Sequence, residues 1–233
     1  MFKNISVLIP YEPDNGSRDK AFKWVLNFYN INMPEAEICI GKSNSELFSR
    51  SQAINDAAKK ATRSIYLIVD ADLILDPKIV CESKELLKKH AWIIPFNSIN
   101  YLTESSTKTI FSNVPKWPIT SEVKFERIKK PTKQTPCVGG VNIVSRKNFE
   151  RVGGFDERFI GWGGEDRAFM SAMNTLCGQY YRINSEIFHL WHPYIGPKRN
   201  PNYKNNSILR DRYLNNTGNI KEITKLINER NAN

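Results

Sequence analysis

The chain has 233 residues, of which 40% are hydrophobic and 25% charged, and its formal charge at neutral pH is +10. These proportions exclude a disordered chain, and the length allows one generous domain with a sizeable core. No apolar run approaches the roughly 20 residues of a membrane-spanning helix, no Cys-x-x-Cys pair offers a zinc site, and the positive surplus calls for an acidic partner: a nucleotide, a nucleic acid or an anionic membrane.

The start, Met1 to Asn4, shows no basic segment leading into an apolar stretch, so no secretory leader is expected. The spaced cysteines Cys39, Cys81, Cys137 and Cys177 read as reduced cytosolic thiols. Ile5 to Pro10 is a short β-branched run stopped by proline, which predicts a buried strand. Ala21, Trp24, Val25 and Phe28 recur at helical spacing, and Ala36 to Ile40 predicts a second strand. Leu47, Ser51, Ile54, Ala58 and Ala61 form a second helical stripe, followed by a strand over Ser64 to Val69. Pro77 suits the first turn of a helix that runs to about Lys89, and Ala91 to Pro95 reads as a fourth strand. Alternating strands and helices predict an α/β architecture with a mostly parallel sheet.

Periodicity then fades. Residues 97–136, rich in Ser, Thr, Lys and Pro, read as a functional loop or lid. Regularity returns at Val138 to Ser145. A glycine-rich stretch from Gly153 to Gly164 precedes a helix marked by Ala168, Met170, Ala172 and Met173. Tyr180 to Ile183 and Ile187 to Leu190 look extended, and Ile220 to Ile227 predicts one helix within a basic, Asn-rich tail.

Three motifs carry chemistry. Asp70-Ala71-Asp72 follows directly on an apolar strand. At the carboxyl end of a parallel strand, such a pair can offer oxygen ligands to Mg²⁺ or Mn²⁺ and, through the ion, hold a diphosphate; it can equally be a capped turn before Asp76-Pro77. Gly161-Trp162-Gly163-Gly164-Glu165-Asp166 combines a sharply turning backbone with two acids that open a helix. One of these acids is a candidate general base for a hydroxyl, and Trp162 is a candidate platform for a ligand. His189-Leu190-Trp191-His192 holds two of the three histidines, and imidazole suits Mn²⁺ or Zn²⁺. In an extended segment their odd separation puts them on opposite faces, so one of the two is expected to face a metal.

In this order the motifs resemble inverting nucleotide-sugar glycosyltransferases of the GT-A fold. The nearest patterns are the β-1,4-galactosyltransferase C-terminal region, chondroitin polymerase and the polypeptide N-acetylgalactosaminyltransferase group. The most specific stretch is Val138-Gly139-Gly140-Val141, then Ser145 to Phe149, Val152-Gly153-Gly154-Phe155 and Gly161 to Asp166; Leu47-Phe48-Ser49-Arg50-Ser51 is similar to the nucleotide-contact segment. The resemblance implies an α/β, Rossmann-like GT-A domain over residues 1–193, with a central mostly parallel sheet flanked by helices, 97–136 as an irregular insertion and 194–233 as a basic tail. It implies Mn²⁺ (or Mg²⁺) on Asp72 and His189, with His192 as the second choice. It implies a UDP-sugar held by Asp70, Pro10, Tyr11, Phe48 and Arg50, with Gly139, Gly140, Trp162, Gly163 and Gly164 along the donor site. Asp166 is the implied base and Glu165 a contact to sugar. Two departures stand out: Arg167 follows where galactosyltransferases continue with acids, and the first-strand loop reads Tyr11-Glu12-Pro13 in place of an Arg-rich loop, with Arg18 left to supply that charge.

The expected activity is therefore metal-dependent, inverting transfer of a hexose or N-acetylhexosamine from a UDP-sugar to a glycan, lipid-linked or other hydroxyl acceptor. The expected setting is bacterial-type surface glycan synthesis in the cytoplasm, peripheral to the inner membrane face. A modified DNA base or a protein as acceptor, and an inactive sugar-nucleotide or glycan-binding module, are the alternatives. No helix-turn-helix, zinc-finger or RNA-recognition pattern is present, and Trp117 and Phe125 are too few to stack bases, which argues against a nucleic-acid binder. Residues 116–151 carry a net +6 and 194–233 a net +5, so the remainder is close to neutral at −1. The basic surplus is expected to meet an anionic acceptor, a membrane surface or the donor diphosphate.

Overall fold

A computed structural model describes residues 1–119, 122–193, 196 and 199–231. β1 (Ile5–Pro10) is buried along its whole length and lies between two parallel neighbours, β2 (Glu37–Gly41) and β3 (Ile65–Val69). Such unbroken apolar runs are what a strand covered on both faces requires. The covering helices are α1 (Ser17–Asn32), which buries Ala21, Trp24, Val25 and Phe28, and α2 (Arg50–Lys60), which buries Ala53, Ile54 and Ala57. Ser49 caps α2 by accepting from Gln52 N, so the helix starts at Arg50 and not at the Leu47 of the expected stripe.

After β3 the chain makes β4 (Leu73–Leu75) and then α3 (Pro77–Leu86), capped by Asp76 with proline in its first turn. β5 (Trp92–Ile94) and β6 (Ser98–Leu102) follow, then α4 (Glu104–Phe111) and β7 (Phe125–Lys129). β8 (Val141–Ser145), α5 (Arg146–Arg151), α6 (Glu165–Leu176), β9 (Tyr181–Arg182) and β10 (Glu186–His189) complete the sheets. The main sheet has the order β2-β1-β3-β8-β5-β9, and all its strands run parallel except β8. A smaller sheet has the order β4-β10-β6-β7.

The reversed strand is what positions the site. Because β8 runs against β3, its entry lies at the carboxyl end of β3, and Asp70 N donates to Gly140 O at 3.0 Å. β10 pairs antiparallel with β4, placing His189 opposite Leu73, and Leu190 N donates to Asp72 O at 2.8 Å. Motifs far apart in sequence thus meet at one sheet edge, where open α/β sheets bind ligands.

Two expectations are corrected. Residues 97–136 are not irregular throughout, since they contain β6, α4 and β7. Their patterns are hidden because Asn100 is a buried polar residue that donates to Glu186 at 2.6 Å, and because β7 is exposed along its whole length. The chain after residue 193 is likewise not an appended tail: α7 (Tyr203–Asn215) and α8 (Ile220–Asn228), with a closing 3-10 turn, Glu229–Asn231, pack on the domain. Their anchor is Asp156, 3% exposed, which accepts from Tyr213 OH at 2.9 Å and from Arg158 at 2.7–3.2 Å. Arg158 also reaches Leu226 O and Glu229, while Arg230 donates to the carbonyls of Val152, Gly153 and Gly154 at 3.1–3.2 Å. Among the described residues, no helix is long and apolar enough to cross a membrane.

This buried cluster yields a stability prediction. Asp156→Ala removes the buried carboxylate to which both Tyr213 and Arg158 donate, a loss of about 3 kcal/mol. Thermal unfolding should show a fall in midpoint of roughly 6–12 °C.

Candidate active site

β3 ends at Val69, so Asp70 is the first residue beyond the sheet, and a tight turn to Leu73 (Leu73 N to Asp70 O, 3.1 Å) sets Asp72 two residues on. Asp72 is 4% exposed and faces both histidines: its Oδ2 lies 3.2 Å from His192 Nε2, and its Oδ1 lies 3.7 Å from His189 Nε2. The expectation that only one histidine faces the metal is corrected. Strand geometry ends at His189, so strict alternation does not extend to residue 192 and both rings turn to the same carboxylate.

In each histidine Nδ1 lies beside a backbone carbonyl, Leu190 O at 2.8 Å and Pro193 O at 2.9 Å. With Nδ1 held at a carbonyl, Nε2 is the nitrogen turned to Asp72: the protonated ring donates from it to the carboxylate, and the neutral ring offers its lone pair there to a metal. The candidate ligand atoms of Asp72, His189 and His192 all lie within 4.8 Å of one another. One carboxylate with two imidazoles is a donor set that fits Mn²⁺, or Mg²⁺ less closely. Burial pushes His189 below the ordinary imidazole range despite Asp72; His192, also pushed down by burial, is carried above that range by its hydrogen bond to Asp72. Burial acts to raise Asp72, but the two imidazoles outweigh it and hold the carboxyl below its usual range. Tyr101 packs on His189 at 4.5 Å between ring centroids, with the Arg127 guanidinium 4.1 Å above Tyr101. Neither residue was singled out by the sequence, because β6 and β7 carry no alternating pattern.

The second half of the site hangs on Arg50. Its Nε donates to Asp70 Oδ1 at 2.6 Å and its Nη1 to Asp166 Oδ1 at 2.7 Å, with Glu165 Oε1 at 3.8 Å. One buried guanidinium therefore serves three carboxylates. Its Nη2 and Glu165 Oε2 are buried with no hydrogen-bond partner, two polar atoms left for a ligand. Burial raises Asp70 to about 6 against the pull of Arg50. Burial and the neighbouring Asp166 raise Glu165 to about 8, so Glu165 keeps its proton at neutral pH. Gly139 is required beside this cluster, since a Cβ there would stand 1.9 Å from Asp166 Oδ2.

Pro10, Tyr11, Glu12, Arg18 and Phe48 line a recess together with Arg50, Asp70 and Asp72. Tyr11 stacks on Phe22 at 3.7 Å and donates to Asp19 at 2.7 Å, which fixes its ring at the rim. The recess opens into a cavity of about 1060 Å³ that also takes in Gly139, Gly140, Gly163, Gly164, the acid pair and both histidines. Every residue singled out from the sequence thus lines one continuous space. The far wall carries Trp162, 49% exposed, stacked on Tyr203 at 6.4 Å. The loop bearing Trp162 is held by the C-terminal segment: Asn200 Nδ2 donates to Trp162 O at 2.8 Å and Asn206 Nδ2 to Ile160 O at 3.0 Å. Gly164 adopts φ +102° where the loop enters α6, a left-handed conformation that favours glycine. The sequence reading missed Asn200, Tyr203 and Asn206 because a polar helix that buries few residues shows no apolar stripe.

Comparison with known proteins bears on the fold that carries this cavity. Residues 120–194 match a family model described as the N-terminal domain of galactosyltransferase. The catalytic domain of Drosophila β-1,4-galactosyltransferase 7, solved with xylobiose, aligns over 86% of this chain and 77% of its own, at 16% identity and a TM-score of 0.51. GalNAc-T7, solved with UDP, GalNAc and Mn²⁺, aligns over 98% of this chain and 55% of its own, at 14% identity and a TM-score of 0.54. No curated sequence matches the chain. The fold is GT-A, and the matches fall in the groups that the sequence motifs resemble.

The buried acid pair predicts a pH signature. Glu165 has a folded-state pKa raised from 4.5 to about 8, so the native state holds a proton that the unfolded chain releases, and stability falls as pH rises through that window. Glu165→Gln removes the penalty, and its melting temperature should pull ahead of the unsubstituted protein between pH 5 and pH 8. A gap that stays constant across that range would show Glu165 to be ionised in the fold.

Proposed function

We propose that this chain is a metal-dependent, inverting glycosyltransferase that moves a hexose or N-acetylhexosamine from a UDP-sugar to an acceptor hydroxyl. The observation that carries the reading is the pairing, in one cavity, of a carboxylate–imidazole–imidazole donor set with an acid pair held by Arg50. The galactosyltransferase family match over residues 120–194 supports it, and so does a fold shared with a protein solved with UDP, GalNAc and Mn²⁺. We assign the acceptor to a bacterial-type surface glycan; the xylobiose held by the other structural neighbour supports a sugar in that role.

Asp72, His189 and His192 would hold a divalent ion, which when bound would supply positive charge against the diphosphate of the leaving UDP. Pro10, Tyr11 and Phe48 give the uracil an apolar seat beside Arg50. Asp166, held by Arg50, accepts the proton of the acceptor hydroxyl. As that proton leaves, the oxygen bonds to the anomeric carbon and the bond from that carbon to the diphosphate breaks with its electron pair on UDP. One displacement with the base on the acceptor side inverts the configuration. Glu165, protonated, is a hydrogen-bond donor to a sugar oxygen beside the base.

The direct experiment is a panel of UDP-sugars with Mn²⁺, reading UDP release with and without glycan acceptors and the anomeric configuration of the product by NMR. Asp166→Asn should lower turnover by roughly 10²–10⁴-fold while donor binding persists; an equal loss of UDP-sugar affinity would remove Asp166 from the role of base. Gly139→Ala should lower turnover in the same direction, since its methyl group displaces the Asp166 carboxylate. Asp72→Ala should abolish Mn²⁺-dependent UDP-sugar binding in calorimetry, and unchanged binding would refute the metal assignment.

A further inference from the structure

On the far side of Arg50 the site changes sign. Arg50 links Asp70, at the head of the Asp70-Ala71-Asp72 turn, to Asp166 at the start of α6, and Arg167 is the next residue. Arg167 lines the cavity, yet its Nε is buried and has no hydrogen-bond partner. A desolvated guanidinium N–H without a partner costs free energy unless a ligand supplies the acceptor. Arg210, from α7, lines the same wall and is joined to Asp211 at 2.8 Å; Arg199 lines it as well and is exposed. Beyond the acid pair, Arg167 and Arg210 thus share one carboxylate among the described residues, Asp211, whose side chain is 52% exposed. Trp162 and Tyr203 lie beside them with exposed ring faces. Aromatic faces with planar, bidentate cations are the complement of a sugar that carries an oxyanion.

We propose that the acceptor sugar itself is anionic, with a carboxylate or phosphate bound by Arg167 and Arg210 while the ring packs on Trp162 and Tyr203. This rests on the glycosyltransferase reading above and names the class of acceptor for that site. The donor diphosphate is assigned instead to the ion that Asp72, His189 and His192 would hold, on the segments after β3 and at the end of β10, whereas Arg167 and Arg210 belong to α6 and α7.

The test uses the full chain and matched acceptors. Calorimetry with a glucuronate-terminated disaccharide and its methyl ester, and with a 6-phosphorylated disaccharide and its unphosphorylated parent, measures binding without donor turnover. At least one charged member should bind about tenfold more tightly than its neutral partner, and Arg167→Gln should bring the pair to within about twofold. The pair that shows the preference identifies the oxyanion as carboxylate or phosphate. Equal affinities within both pairs, or a preference that survives both Arg167→Gln and Arg210→Gln, would overturn the proposal. Should Arg167→Gln fail to fold, Arg210→Gln and the two neutral analogues still decide it. Mn²⁺-dependent UDP release by the unsubstituted chain is read separately, so failure of the glycosyltransferase reading is distinct from failure of the charge preference.

Discussion

One buried guanidinium organises this protein's cavity. Arg50 sits among Asp70, Glu165 and Asp166, carboxylates that would repel one another by several kcal/mol at such separations in a partly buried site. Its two short hydrogen bonds reach residues 20 and 116 positions away in sequence, so it joins the end of the first half of the sheet to the start of α6. The proton kept by Glu165 is part of the same balance: three ionised acids around one cation would leave the cluster doubly negative in a low-dielectric site. With Arg50 in place, Asp166 is fixed by a 2.7 Å hydrogen bond, and Asp70, raised to about 6 by burial, is held beside Asp72 by the other arm of the same guanidinium.

Arg50 holds that position because α2 begins there. Ser49 accepts from Gln52 N to start the helix and donates to Phe159 O at 2.7 Å. Gly161 N then donates to Phe48 O at 3.1 Å, so the strand–helix turn after β2 and the glycine loop before α6 are fastened to each other. The reversed strand β8 closes the arrangement from the other side, by bringing Gly139 against Asp166 and Gly140 against the end of β3. Local capping, sheet polarity and a pair of glycines together set the spacing of the acids.

What the sequence revealed follows from which residues are buried. Strands β1, β3 and β8 and helix α2 were legible because their apolar positions face the core with little interruption. The Asp70-Ala71-Asp72 and Glu165-Asp166 pairs were legible because they stand at strand and helix ends, where polar groups need a reason to be. The convergence of His189 and His192 was not, because strand alternation stops at His189 and residues 190–193 lie in neither strand nor helix. β7 offers no signal, being exposed at every position. Helix α7 buries only Asn206 and Tyr213, so its amphipathic stripe is almost absent and its importance rests on hydrogen bonds. The charge total was visible at once, but its division between residues 116–151 and 194–233 gained meaning only when both segments proved to line the cavity, through Arg127 and Lys129 from the first and Arg199 and Arg210 from the second.

The hold of Asn200 and Asn206 on the glycine loop has a consequence for how the molecule fails. The Asp72–His189–His192 cluster and the Tyr11–Phe48 recess are built from residues on the two sheets and their connecting segments, whereas the Trp162 wall depends on side chains from the C-terminal segment. Fraying that begins in α7 and α8 would dismantle the Trp162 wall first and leave the cluster and the recess standing. On the proposed reaction such a molecule would keep its hold on the donor and lose its hold on the acceptor, so the anchoring of these helices through Asp156 would guard the pairing of two substrates as well as the stability of the fold.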